Sequence, residues 1–210
     1  MQKIFWENPY QQHLETVVAS VSGSQVIFAE TIAYSFSGGQ EGDKATINGM
    51  PIFDSKMENN LIIYTLPDDH GLSIGDQVLM EIDWPRRLKL MRLHFAAELV
   101  LEIVTQHFKF EKVGAHIAES KARIDFISDT NISAYFDTIL EKYNAIISAD
   151  LPIQTGFTDV ATQRRFWKID GFAEVPCGGT HVKSTGEVGF VKLKRSHPGK
   201  SIERIEIYLI

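Results

Sequence analysis

Two hydrophobic periods divide the chain. Up to about residue 85, short β-branched and apolar runs at 15–21, 25–31, 44–48, 60–66 and 76–83 read as strands. Gly23 signals a hairpin between the first two, and Gly49, Pro67 and Gly75 mark later turns. Strands at this spacing predict a small N-terminal β-barrel over 1–85. From about 88 to 107 the period lengthens. Leu90, Leu93, Ala97, Leu101 and Val104 share one helical face, and Leu99, Val100 and Ile103 widen it into a mostly buried helix. Trp84 and Pro85 mark the junction, because a residue before proline is held extended. Residues 113–126 read as paired strands. A second helix is expected from Ser133, its N-cap, to about 149, with Phe136, Ile139, Leu140, Tyr143 and Ile146 at helical spacing. Strands follow at 153–158, 165–170, 187–194 and 202–210. Helices laid on a mainly antiparallel sheet make 86–210 an α+β domain.

Composition narrows the class only mildly. A hydrophobic fraction of 44% and a charged fraction of 23% suit a globular protein, and the apolar runs are too short and too interrupted to span a membrane. With one cysteine no internal disulfide can form, and with no apolar signal core at the N-terminus a cytoplasmic location is expected. The net charge of −6 argues against general nucleic-acid binding but leaves room for local patches. Arg86, Arg87, Lys89 and Arg92 form one basic run, and Lys192, Lys194, Arg195, Lys200 and Arg204 form another. Each reads as solvated surface or as a contact for an acidic partner. No Walker loop or dinucleotide fingerprint occurs, so no nucleotide cofactor is expected.

The candidate chemistry sits in two stretches. The single cysteine, Cys177, stands four residues before His181, with Gly178 and Gly179 between them. Glycines tolerate positive φ, so a tight turn is expected to aim the thiolate and imidazole at one point. Zinc accepts both ligands but needs more. His94 and Glu98, at i and i+4, project from one face of the first long helix. A carboxylate buried there needs a partner or a metal. The two halves make a Cys/His/His/carboxylate set. A third stretch, Ser37-Gly-Gly-Gln-Glu-Gly-Asp43, reads as a glycine turn.

Pro176-Cys-Gly-Gly-Thr-His-Val182, with Thr185-Gly-Glu-Val-Gly189, Ser201-Ile-Glu-Arg-Ile205 and Arg123-Ile-Asp-Phe126, resembles the editing domain of alanyl-tRNA synthetase. It is most similar to the free-standing AlaX-type members, which hydrolyse mischarged alanine tRNA, and more distantly to the threonyl-tRNA synthetase editing domain. The resemblance covers most of the chain. It implies a zinc site at His94, Glu98, Cys177 and His181, with Glu98 where the family has a second helix histidine. Alternatively His94, Cys177 and His181 hold the metal while Glu98 acts as a base beside an open position, or the metal has been lost. Ala97 stands where the family has a threonine and Glu119 where it has a glutamine; with Thr180 they are expected to contact substrate. Gly39 and Gln40 match a family Gly-Gly-Gln…Asp motif, expected to shape the domain contact or approach the tRNA end. Backbone amides of Gly178 and Gly179 are candidates for an oxyanion site. Phe166, Trp167 and Phe172 read as stacking groups or as core.

The implied function is zinc-dependent hydrolysis of mischarged alanine tRNA, serine first and glycine second. The rivals are a catalytically weak tRNA-binding module and a deacylase for another aminoacyl-tRNA or a small ester.

Overall fold

The structure is a computed structural model that describes residues 1–199 and 201–210. Lys200, from the second basic run, lies outside the described residues. The chain forms two compact units, Met1–Leu88 and Lys89–Ile210. No described helix is long and apolar enough to cross a membrane.

The first unit opens with β1 (Gln2–Lys3) and a single turn, α1 (Ile4–Glu7). There follow β2 (His13–Ser22), β3 (Gln25–Phe28), β4 (Glu30–Thr31), β5 (Ala45–Ile47), β6 (Met50–Pro51), β7 (Asp54–Glu58), β8 (Leu61–Thr65) and β9 (Gln77–Ile82). Seven strands pair in the order β6-β5-β9-β2-β3-β8-β7, while β1 and β4 form a short parallel pair. The sheet curls about β2, whose first half pairs with β9 and whose second half pairs with β3, with a register shift between Val18 and Ser20. The result is a curled half-barrel. Closure into the barrel that the sequence predicts is not among the pairings of the described residues, where β6 and β7 are the two ends. Val26, Phe28, Ile47, Ile62, Tyr64 and Met80 fill its core.

In the glycine-rich motif, Gly38 and Gly39 adopt φ of 59° and 88°, a left-handed pair that side chains resist. They let Ser37 and Gln40 exchange backbone hydrogen bonds of 3.0 and 3.3 Å, and Gln40 is buried. Farther along, Asp43 accepts from the Tyr34 backbone N–H at 2.6 Å and pairs with the fully buried Arg87 guanidinium. Arg87 also donates to the carbonyls of Ile32 and Pro9, at 2.5 and 2.9 Å. Arg86 pairs with Glu41 at 2.7 Å. Half of the first basic run is therefore an internal clamp.

The long helix, α2, runs Trp84–His107 and so starts earlier than expected. Proline is tolerated in a first turn, where its missing N–H costs nothing. Asp83 supplies the cap, accepting from Arg86 N–H through Oδ1 at 3.1 Å and from Arg87 N–H through its carbonyl at 3.0 Å.

In the second unit β10 (Glu111–Ile117), β11 (Ala122–Ile127), β15 (Val191–Gly199) and β16 (Ile202–Leu209) form an antiparallel sheet in the order β10-β11-β16-β15. A second antiparallel sheet holds β12 (Gln154–Asp159), β13 (Arg164–Ile169) and β14 (Ala173–Pro176). The next long helix, α3, is Phe136–Ala149, preceded by a 3-10 turn, Ile132–Tyr135. Asn131 caps that 3-10 turn, accepting from the Ser133 N–H at 3.0 Å, and the residue at the N-cap of α3 is Tyr135 rather than Ser133. The strand expected from 187 begins at Val191, because Thr185–Val188 coils into α4. Asp150 caps that turn through the Gly186 N–H at 2.9 Å, so close that a Cβ on Gly186 would meet Oδ1 at 2.3 Å.

Candidate active site

Three elements of the second unit deliver the chemistry. On α2, His94 and Glu98 lie one turn apart, with His94 Nε2 3.2 Å from Glu98 Oε1. Strand β14 ends at Pro176 and hands on to Cys177, whose N–H donates to the Arg165 carbonyl at 2.9 Å and prolongs the strand pairing. The same loop then buries Thr180 and His181. Cys177 Sγ stands 3.5 Å from His94 Nε2, 3.3 Å from His181 Nε2 and 3.6 Å from Glu98 Oε1.

His94, Cys177 and His181 offer ligand atoms that all lie within 4.8 Å of one another. Zinc bonds of about 2.0–2.3 Å place tetrahedral ligands roughly 3.3–3.8 Å apart, which matches the two nitrogen–sulfur separations. Glu98 stands outside this mutually close trio although it approaches two of its members.

The electrostatics point the same way. Burial disfavours a charged His94, but Cys177 and the Glu98 carboxylate, by charge and hydrogen bonding, overcome it and raise its pKa to about 10. Burial and the neighbouring His94 charge push His181 down to about 3. Glu98 is partly desolvated, yet hydrogen bonds and charge from His94 bring it down to about 2. Local negative charge that raises a histidine also favours a dication, which takes the place of the His94 proton when it binds. The outer nitrogens of both rings, Nδ1, are buried and meet no hydrogen-bond partner among the described residues.

Packing fixes the rings. Phe95 meets His181 edge-on at 5.5 Å between centroids and Trp167 at 5.1 Å. Trp167 is fully buried on β13, so it is core rather than a stacking group for RNA. Its indole Nε1–H donates to Glu98 Oε2 at 3.2 Å. Sequence reasoning missed this pairing. The available signal was an inward-facing tryptophan in a strand, whose N–H needs an acceptor when buried.

The glycines differ from expectation. Neither Gly178 nor Gly179 takes the left-handed backbone; the chain leaves β14 at Pro176 and bends at Gly179. A Cβ at Gly178 would meet nothing within 4 Å, so there is open space at this point of the loop. Ala97 is buried on α2. Glu119, in the turn after β10, pairs with Lys89 at 3.4 Å. Gly39 and Gln40 belong to the first unit.

Comparison with known proteins defines the class. Residues 165–206 match the second additional domain of threonyl and alanyl tRNA synthetases. Over 212 residues the chain is 31% identical to the alanyl-tRNA editing protein AlaX-M of Pyrococcus horikoshii, covering 99% of this chain and 97% of that protein. The chain belongs to the AlaX family of alanyl-tRNA editing proteins. It is also 27% identical to AlaX-L of the same organism and 28% identical to an alanine–tRNA ligase of Methanococcus aeolicus. There it spans 57% and 25% of the relative's length, respectively.

Proposed function

We propose that the protein is a zinc-dependent trans-editing hydrolase, cleaving the ester between a wrong amino acid and the terminal ribose of alanine tRNA. The observation that carries this reading is the trio His94, Cys177 and His181 at zinc-ligand spacing, with Glu98 held beside it. The family likeness supplies the substrate class. Three protein ligands are the usual number for a catalytic zinc, which keeps one position open. Bound zinc supplies Lewis-acid polarisation of the ester carbonyl or of a water.

The chain's own groups do the rest. Glu98 Oε1 takes the proton of the attacking water and passes it to the departing ribose oxygen, while Trp167 holds the other carboxylate oxygen and fixes the direction of transfer. Open space at Gly178 admits the substrate against the loop, whose amides at Gly178 and Gly179 face the developing oxyanion in this reading. Serine is the leading amino acid removed and glycine the second, and the cytoplasm is the expected compartment.

The test is deacylation of alanine tRNA carrying serine, glycine or alanine, before and after chelation and zinc restoration. Zinc-dependent loss of serine or glycine with alanine spared is the expected result. No cleavage by zinc-loaded protein would leave a tRNA-binding module or another substrate, and would sink the editing reading.

A further inference from the structure

The two units carry charge unequally. Residues 1–88 hold 5 Lys and Arg against 12 Asp and Glu, whereas 89–210 hold 16 against 15. The acidity of the whole chain is thus an attribute of the first unit, and the second is free to meet a polyanion. Within the second unit many bases are already spent. Arg123 and Arg204 share Asp125, and Arg195 pairs with Glu203 at 2.6 Å.

One cluster stands apart. Lys192 on β15 lies directly across from Tyr208 on β16, and Lys194 lies across from Glu206, so all four share the outer sheet face. The ammonium groups of Lys194, Lys192 and Lys121 stand 5.3, 5.7 and 5.8 Å from the centre of the Tyr208 ring. Glu206 neutralises Lys121 and accepts from the Tyr208 hydroxyl at 2.8 Å. Lys192 and Lys194 are exposed and meet no carboxylate among the described ion pairs. Two like charges gathered at one ring repel each other, and an anion bound between them relieves that repulsion.

The Tyr208 ring and Lys192 also border a cavity of about 390 Å³, walled by Lys89, Arg92 and Leu93 of α2 and by Glu119. The wall therefore reaches the residue just before His94. That volume falls within the usual range for a small-molecule site and accommodates one nucleotide. Glu119, the acidic group on the wall, is already offset by Lys89.

We propose that this cavity and its Lys192/Lys194 rim seat a nucleotide of the single-stranded 3′ end of RNA. The two lysines meet its phosphates, and Tyr208 lies against a base or sugar. The inference rests on the RNA substrate of the proposed function, and it moves Glu119 from amino-acid recognition to the nucleotide side. It explains how an acidic protein binds RNA: a small positive face on β15 and β16 borders, through the cavity, the helix that carries His94.

The experiment is fluorescence anisotropy of uncharged RNA ending in a single-stranded 3′ tail, titrated against the zinc-loaded protein and the K192A/K194A double variant at several salt concentrations. It reads binding without catalysis, so it stands whether or not editing is found. The double variant should bind roughly tenfold more weakly, with a log–log salt slope shallower by about 1.4, the value for two lost single-strand phosphate contacts. Deacylation of a phosphate-free aminoacyl nucleoside by the same variant should be unchanged, which separates RNA seating from the chemistry. Equal affinity and equal slope for both proteins would overturn the proposal. So would competition by millimolar inorganic phosphate that matches competition by RNA, which would reduce the rim to a free-anion site.

Discussion

Trp167 donates its indole N–H to Glu98 across 3.2 Å, joining a strand of one sheet to the helix that carries His94. The tryptophan is wholly buried, so the bond is shielded from water, and the acceptor is an ionised carboxylate. One oxygen of Glu98 is thereby committed to the scaffold. The other faces His94 and Cys177. Histidine at position 98 would present one ring nitrogen for this purpose; glutamate needs a second group to hold it still, and Trp167 is that group.

Trp167→Phe should keep the fold and the edge-on contact with Phe95 while removing the donor. A hydrogen bond to a charged group contributes about 1.5–3 kcal/mol, so turnover should fall roughly tenfold to hundredfold. Zinc content, measured by atomic absorption, should stay near one per chain because the three ligands are untouched. Loss of zinc in this variant would instead mark Glu98 as a fourth ligand.

Glu98→Gln and Cys177→Ser separate base from ligand directly. The first should retain zinc and lose turnover by roughly 10²–10⁴-fold, the usual share of a general base. The second should lose zinc under mild chelation, because serine does not ionise near neutral pH as cysteine does. Equal zinc loss in both would put Glu98 in the coordination shell.

Much of this site was legible in the sequence, and the reasons are local. His94 and Glu98 declare themselves by helical spacing inside an apolar run, and Cys177 by being the sole cysteine before a histidine. The strands at 60–66 and 76–83 followed from β-branched and apolar runs, whereas the run 25–31 divides into β3 and β4, which join different sheets. What escaped was set by partners distant in sequence. Trp167 looked like one more aromatic because its acceptor lies 69 positions away. Strand β7, Asp-Ser-Lys-Met-Glu, has too few apolar residues to announce itself and forms only as an edge against β8. The start of α2 lies before the expected Leu88 because Asp83 caps the helix and makes Pro85, the expected junction, a first-turn residue.

Arg87 and Asp43 offer a stability test in the first unit. Both side chains are essentially inaccessible to water. Removing one member of a buried pair strands the other, at a cost of about 3–5 kcal/mol. Arg87→Met should lower the urea midpoint by that equivalent, and Asp43→Asn added to it should recover part of the loss. A neutral single variant would mean that neither the charge pair nor the Arg87 carbonyl contacts add to stability.

Glu203 gives the pH dependence of the second unit. Hydrogen bonding and charge from Arg195, with help from the Ile132 N–H and His197, hold its carboxyl at about 2 despite its burial. An unfolded glutamate titrates near 4.3, so the unfolded chain binds more protons between those values. The stabilisation is therefore complete above about pH 4.5 and fades as pH falls toward about 2. Denaturant titrations across pH 2–7 should show wild type losing stability steadily below pH 4.5. Glu203→Gln should start lower at neutral pH and give a flatter acid limb, since it has no proton to take up there. Parallel limbs in the two proteins would show that the acid response belongs to other carboxylates, with Asp125 between Arg123 and Arg204 the next to replace.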